Sequence, residues 1–189
     1  MLSAYQYDQA SKEPHWKPAK VAKLRAQQPS IANWLYDRSS LTARLKQHCH
    51  FSVQIHSVAK RLAYPSENKI LGLPQKTVCL IREVHLLCGN TPVVFARTCI
   101  PLNTLSGTYQ QLSCLGRKPL GELLFSGPHI HRGIVEIASF SQQNVLFHRA
   151  TQAKGVSKIW GRRSLFHLPQ QQALLVNEVF LPTIDTMAR

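Results

Sequence analysis

A single carboxylate stands in the apolar run ALLVNEVFLP, residues 173–182. At the two-residue period of a strand, Glu178 shares one face with Leu174, Val176 and Phe180. An ionised carboxylate on an apolar face is costly unless a cation pairs with it or it reaches solvent or a ligand. Because the chain has only 9 acidic residues against 23 Lys and Arg, this position predicts a carboxylate with a specific partner. The chemistry it could perform is proton transfer.

Two arginines occupy similar positions in other predicted strands. Arg82 is the one charge on an otherwise apolar face of VCLIREVHLLC, residues 78–88, and Arg97 is the one charge on a face of VVFARTCIP, residues 93–101. Since arginine keeps its proton, each of the two needs an anion or several hydrogen-bond acceptors around it. The sequence therefore predicts three charged side chains on apolar faces.

These charges do not balance, because two arginines face one glutamate. One interpretation is a buried Arg–Glu–Arg network that only holds the sheet together. The other is a pocket whose anionic ligand supplies the missing negative charge. In that pocket Arg82 and Arg97 would bind carboxylates, and Glu178 would accept or donate protons. The excess positive charge favours the pocket.

Other motifs give weaker signals. His129 and His131 could converge on a strand, but two ligands are too few for a closed metal site, so no metal is predicted. Ser164 lies in no Gly-x-Ser-x-Gly elbow, which argues against a serine hydrolase. Arg162 and Arg163 are interpreted as a solvated pair, although a loop at the start of a strand could turn one of them inward.

Length and composition predict one domain in the cytoplasm. The 189 residues, 44% of them hydrophobic, suffice for a packed core. Residues 1–17 show no apolar segment of a signal peptide, and no apolar run is long enough to span a membrane. Five cysteines without a Cys-x-x-Cys pair predict free, buried thiols.

The net charge of +14 has two open interpretations. It can be a solvated surface, or it can attract nucleic acid, anionic lipid or small anions. No helix-turn-helix, zinc-finger or RNP-type motif accompanies the charge. We expect a small-molecule partner, no nucleic acid, no membrane insertion and a monomer.

Hydrophobic periodicity predicts a single α+β domain over 29–189, preceded by an irregular, loosely attached basic extension at 1–28. Two short helices, starting near Ser30 and at Ser39 or Ser40, should form a hairpin, and residues 104–125 should be short helix and loop. An antiparallel sheet of about six strands is expected from the segments 51–58, 78–88, 93–101, 133–140, 144–150, 162–168 and 173–182.

Six pieces of sequence, in order, resemble the chorismate pyruvate-lyase family, also called 4-hydroxybenzoate synthase. They are NWLYDRSSLTARL (33–45), IREVHLLCG (81–89), PVVFARTCIP (92–101), LGRKPLGELLF (115–125), IWGRRSLF (159–166) and LLVNEVFLP (174–182). The resemblance covers about 30–182 and leaves out 1–28. It implies a six-stranded antiparallel sheet with helical flaps over an enclosed site. It also implies cleavage of chorismate to 4-hydroxybenzoate and pyruvate, without metal or organic cofactor, towards ubiquinone.

The resemblance also implies roles for particular residues. The arginine that binds the ring carboxylate falls on Arg82, and the acidic ligand falls on Glu178. Two further binding positions fall on Leu41 and Leu120. Arg97 would hold the enolpyruvyl group and act in catalysis together with Glu178.

Two other functions remain open. Effector domains of some transcription regulators are similar in fold to this family, which allows a ligand-binding module without catalysis. A DNA-binding domain before the sheet would favour that module, whereas Glu178 favours chemistry. A nucleic-acid-binding protein would need clustered Lys and Arg with stacking aromatics, and Trp16, Trp34 and Trp160 do not share an element.

Overall fold

Seven antiparallel strands form one sheet in the computed structural model, which describes residues 12–20, 29–126, 129–151 and 155–187. The strands are β1 (Lys17–Pro18), β2 (Phe51–Leu62), β3 (Val78–Cys88), β4 (Thr91–Pro101), β5 (His131–Ser141), β6 (Lys158–His167) and β7 (Ala173–Phe180). Their order across the sheet is β1-β5-β6-β7-β4-β3-β2. The predicted α+β class and antiparallel sheet are confirmed. The two-residue strand β1 adds to the six long strands.

Helices pack on both faces of this sheet. The α-helices are α1 (Pro29–Leu35), α2 (Leu41–His48), α3 (Pro65–Leu71), α4 (Leu120–Ser126) and α5 (Val145–Ala150), and 3-10 helices span Leu102–Thr104, Gly107–Cys114 and Pro182–Met187. As predicted, Ser40 caps α2, because its side-chain oxygen accepts the Ala43 N–H.

Residues 145–150 form helix α5 and not the strand predicted there. Leu146, Phe147 and Ala150 are spaced for one face of a helix, and all three are buried in one apolar cluster with Phe140. A run this short does not separate helix from strand by periodicity alone. The packing against β5 decides its conformation.

Strand register determines which charges share a face. Arg82 lies opposite Thr98, and Glu83 lies opposite Arg97. Because successive side chains of a strand point to opposite faces, Arg82 and Arg97 lie on opposite faces of the sheet. Helices α1, α2 and α4 cover the Arg82 face, whereas α3 and α5 cover the Arg97 face.

Residues 12–20 pack on the domain and are not the loosely attached extension predicted for 1–28. Strand β1 pairs with β5, where Lys17 lies opposite Ile137. The Trp16 ring packs edge-on against Phe140, with 5.6 Å between ring centroids. The remainder of 1–28 lies outside the described residues.

The prediction of five free, buried cysteines holds for Cys79 and Cys99. Cys114 is free but exposed. The prediction is wrong for Cys49 and Cys88, which form a disulfide with their Cα atoms 5.4 Å apart. Pairing of β2 with β3 brings these two cysteines together, since Phe51 lies opposite Cys88.

Candidate active site

A cavity lies between the Arg82 face of the sheet and the flap helices, the name used here for α2 and α4. Side chains of the sheet and of both flap helices form its walls. Most of its lining is apolar, with Val84, Leu86 and Val176 on the sheet side. Of the described residues that line it, Arg82 and Glu178 alone are charged. The cavity is thus built to hold an apolar ring with polar groups at defined positions.

Arg82 is 3% exposed and lines this cavity from β3. Its Nη2 donates to the backbone carbonyls of Gly116 and Lys118, both at 3.1 Å. Its buried Nε–H has no acceptor among the described residues, and burial lowers the pKa of Arg82 from its ordinary value. A buried guanidinium with neutral partners and a spare donor is suited to bind an anion.

Glu178 lines the cavity from β7 and is 13% exposed. Its Oε2 accepts a hydrogen bond from Arg162 Nε at 2.5 Å, since Arg162 lies directly opposite on β6. Arg162 Nη1 also donates to the backbone carbonyls of Trp34 and Asp37. The carboxylate therefore has the cationic partner that its apolar strand requires, and it still faces the cavity.

The two leucines named by the resemblance also line the cavity. Leu41 is the first residue of α2, and Leu120 is the first residue of α4. The first N–H groups of a helix have no partner within the helix, so both positions combine an apolar side chain with a backbone donor. The structure thus brings Leu41, Arg82, Leu120 and Glu178 together around one space.

Arg97 does not belong to this site, and its predicted place beside Arg82 and Glu178 is wrong. On the opposite face, its Nε and Nη2 donate to the two carboxylate oxygens of Glu67 at 2.8 and 2.9 Å. Its Nη1 donates to Glu83 at 3.0 Å, and its guanidinium lies 4.0 Å from the centre of the Tyr64 ring. For Arg97 the buried-network interpretation is the correct one.

The network around Arg97 balances its own charges. Glu83 also accepts hydrogen bonds from Arg149 and from Ser57, which is 2.9 Å away. Burial acts to raise the pKa of Glu83, but Arg149 and Arg97 more than offset it, so the pKa is lowered. Two carboxylates face two guanidiniums, and the network needs no ligand. It fastens α3, which carries Glu67, to the sheet.

Sequence reasoning missed the arginines of β6. Arg162 and Arg163 are 1% and 6% exposed and are not the solvated pair expected. Strand alternation sends Arg162 to Glu178 and Arg163 to Glu136, which lies on the other face at 2.6 Å. Two adjacent arginines in a strand point to opposite faces of the sheet. Because both faces of β6 are covered, the pair could have indicated one carboxylate partner on each face.

Gly161 lets β6 approach β7 closely beside Glu178. A Cβ added there would lie 2.7 Å from the Glu178 backbone oxygen and 2.7 Å from Phe140 Cε2. We expect Gly161→Ala to lower the free energy of unfolding by about 1–3 kcal/mol, because neither atom can move freely. Urea unfolding would measure this change. Gly133→Ala is the matched control, since its closest contact is the end of the His167 side chain; an equal loss in both variants would contradict the explanation.

Two further features concern metals and membranes. In the described part of the chain, no group of three or more His, Cys, Asp or Glu residues is arranged to hold a metal ion. None of the helices described there is both long enough and apolar enough to cross a bilayer.

Comparison with known sequences gives consistent matches. A family model described as chorismate lyase matches residues 11–189. The probable chorismate pyruvate-lyase of Aromatoleum aromaticum is 41% identical over 175 residues, which cover 89% of each chain. The protein of the same description from Nitrosospira multiformis is 35% identical over 177 residues, covering 92% of this chain and 96% of that protein.

Comparison with solved structures reveals the same fold in proteins of low sequence identity. PhnF from Mycobacterium smegmatis has a TM-score of 0.55 and 11% identity, covering 92% of this chain and 89% of its own. A GntR-family regulator from Bacillus cereus has a TM-score of 0.53 and 10% identity, covering 70% and 92%. At these identities the likeness shows the fold alone.

Proposed function

Because the chain belongs to the chorismate lyase family, we propose that it converts chorismate to 4-hydroxybenzoate and pyruvate, supplying the aromatic ring for ubiquinone. The observation that carries the proposal is the pair of charges in the cavity. A buried guanidinium whose Nε–H has no acceptor among the described residues, that of Arg82, and a positioned carboxylate, Glu178, face one apolar space. Chorismate is a cyclohexadiene ring that carries a carboxylate at one end and a hydroxyl at the other, so it presents matching groups.

Arg82 binds the ring carboxylate in this proposal. Its Nε and Nη groups form the planar fork that pairs with two carboxylate oxygens. Its hydrogen bonds to Gly116 and Lys118 hold the fork in place. The side chains of Leu41 and Leu120 cover the ring, and their backbone N–H groups are placed to add donors. Binding therefore fixes the orientation of the ring before any bond breaks.

Glu178 acts at the other end of the ring. The ether C–O bond to the enolpyruvyl group breaks, and the neighbouring carbon, which bears the hydroxyl, loses its proton as the ring becomes aromatic. The leaving enolpyruvate gains a proton at its methylene carbon and becomes pyruvate, so protons balance. Glu178 is placed to relay that proton, and its bond to Arg162 holds the carboxylate in position.

The flap helices contribute by excluding water. Lys46 of α2 and Glu122 of α4 form an exposed ion pair at 2.5 Å that joins the two flaps. A closed apolar cavity strengthens the charge interactions inside it. It also makes flap opening a step that product release must wait for.

The test is an assay of purified protein with chorismate in the presence of a chelator. Absorbance follows 4-hydroxybenzoate, and a coupled assay follows pyruvate. Equimolar products support the proposal, and their absence contradicts it. A non-catalytic binding module would bind 4-hydroxybenzoate and release no pyruvate from chorismate.

Glu178→Gln should lower kcat about 10²–10⁴-fold, the usual worth of a general base or acid, with a much smaller change in affinity for 4-hydroxybenzoate. The amide keeps the shape and can still hydrogen-bond the hydroxyl, but it cannot carry the proton. Steady-state kinetics and titration calorimetry measure the two quantities. Glu136→Gln is the matched control, because Glu136 pairs with Arg163 across strands on the other face. Equal turnover in the two variants would remove Glu178 from the mechanism.

A further inference from the structure

With Arg97 outside the cavity, the second carboxylate of the substrate has no assigned partner. Among the described residues, three charged side chains meet at the Glu178 end. They are Arg132 on β5, Arg162 on β6 and Glu178 on β7, on three strands that are neighbours in the sheet. The nearby Asp37 carboxylate is bound to Arg44 at 2.9 Å, and the nearby Arg38 side chain is exposed to solvent. Two guanidiniums therefore share one carboxylate, which leaves one positive charge over.

Arg132 carries this excess charge. Its Nε and Nη2 donate to Ser164 Oγ at 2.9 and 2.8 Å, and its Nη1 donates weakly to the Asp37 carbonyl at 3.4 Å. Its Nη2 is 3.8 Å from Glu178 Oε2, beyond hydrogen-bonding distance. Within the part of the chain described, every atom it hydrogen-bonds is neutral, although the side chain is only 8% exposed.

Arg162 already has a carboxylate partner, because its Nε donates to Glu178 while its Nη1 donates to two backbone carbonyls. Arg132 uses three of its five N–H groups and keeps the others. Burial first, and then the neighbouring Arg162, lower its pKa to about 10. The protonated form of Arg132 is thus held at a cost that an added anion would reduce.

The position of Arg132 matches the shape of the substrate. Arg132 is not itself part of the cavity lining, but Glu178 and Phe166, which lie beside it, both are. The Arg132 guanidinium lies 3.8 Å from Glu178 and 5.8 Å from the centre of the Phe166 ring. In chorismate the enolpyruvyl ether is attached to the carbon next to the one that bears the hydroxyl. With the ring carboxylate on Arg82 and the hydroxyl at Glu178, the second carboxylate must lie at the Glu178 end.

We propose that Arg132 binds the enolpyruvyl carboxylate and so makes the cavity selective for a dianion over a monoanion. This assignment rests on the proposed function. It balances the charges at that end, with Arg132 and Arg162 against Glu178 and the ligand. It also leaves Arg132 beside the ether oxygen, where negative charge grows as the C–O bond breaks.

The experiment compares two ligands that differ by this carboxylate. Chorismate carries it and 4-hydroxybenzoate does not. Affinities are measured by calorimetry in the Glu178→Gln background, where chorismate is turned over slowly. We expect a further Arg132→Gln change to weaken the binding of chorismate about 10–100-fold, which is the usual effect of losing a charge-assisted hydrogen bond. Binding of 4-hydroxybenzoate should stay within about threefold, and Arg132→Lys should recover part of the loss.

The outcomes separate binding from a structural role. If Arg132 only positioned Glu178 or the strand, both ligands would weaken together, and that result overturns the proposal. Unchanged chorismate binding, or none in the Glu178→Gln parent, overturns it as well. Retained binding of 4-hydroxybenzoate shows that the variant is folded. Absence of lyase activity in the unmodified protein contradicts the proposed function instead, because the binding comparison needs no turnover.

Discussion

Replacing Arg82 by glutamine is expected to lower kcat/KM for chorismate about 10²–10³-fold and to weaken the binding of 4-hydroxybenzoate by a similar factor. Truncating one partner of a buried charge pair costs about 2–5 kcal/mol, and Arg82 is the charged donor at its end of the cavity. Both ligands carry the ring carboxylate, so both should suffer. Steady-state kinetics and calorimetry of the purified variant check this result.

The stability of the Arg82 variant is part of the same prediction. Because Arg82 hydrogen-bonds backbone carbonyls in the described structure, its removal leaves no carboxylate there without a cation. The free energy of unfolding, measured in urea, should therefore fall by about 1–3 kcal/mol, because two hydrogen bonds worth about 0.5–1.5 kcal/mol each are lost. Arg61→Gln, on β2, removes an equal charge away from the cavity lining and serves as the control. Normal kinetics in Arg82→Gln would overturn the assignment.

Replacing Arg97 by glutamine is expected to affect stability and not substrate binding. It should lower the free energy of unfolding by about 3–5 kcal/mol. Glu67 would lose its cation and Glu83 would keep only Arg149, and both carboxylates are almost fully buried. Many domains have only about 5–15 kcal/mol of stability in total, so a large part of the variant should unfold on mild heating. Urea unfolding at neutral pH measures the loss.

A double variant distinguishes charge from packing in this network. Glu67→Gln in the Arg97→Gln background removes the buried carboxylate that has lost its cation, so it should recover part of the stability. The folded fraction of Arg97→Gln should keep a KM close to that of the unmodified protein, because Arg97 does not line the cavity. Full stability combined with lost turnover would return Arg97 to the catalytic site.

The sequence alone determined the antiparallel sheet and two of the charged residues in the cavity. Alternation along the strands predicted the antiparallel sheet, and it identified Arg82 and Glu178 as charges that apolar faces must explain. The same charge count, two arginines against one glutamate, also describes the Glu178 end of the cavity. There the arginines are Arg132 and Arg162, and not Arg97.

Only the tertiary structure decided which face holds the cavity. In β4 the face that carries Arg97 and the face that carries Ala96 are both buried, so hydrophobicity alone cannot distinguish them. Register resolves the choice, because Arg97 lies opposite Glu83 while Ala96 lines the cavity with Glu178. Alternation shows which residues share a face within one strand. Which faces meet across strands depends on the register and on which helices close over each side, and these are set by contacts between distant residues.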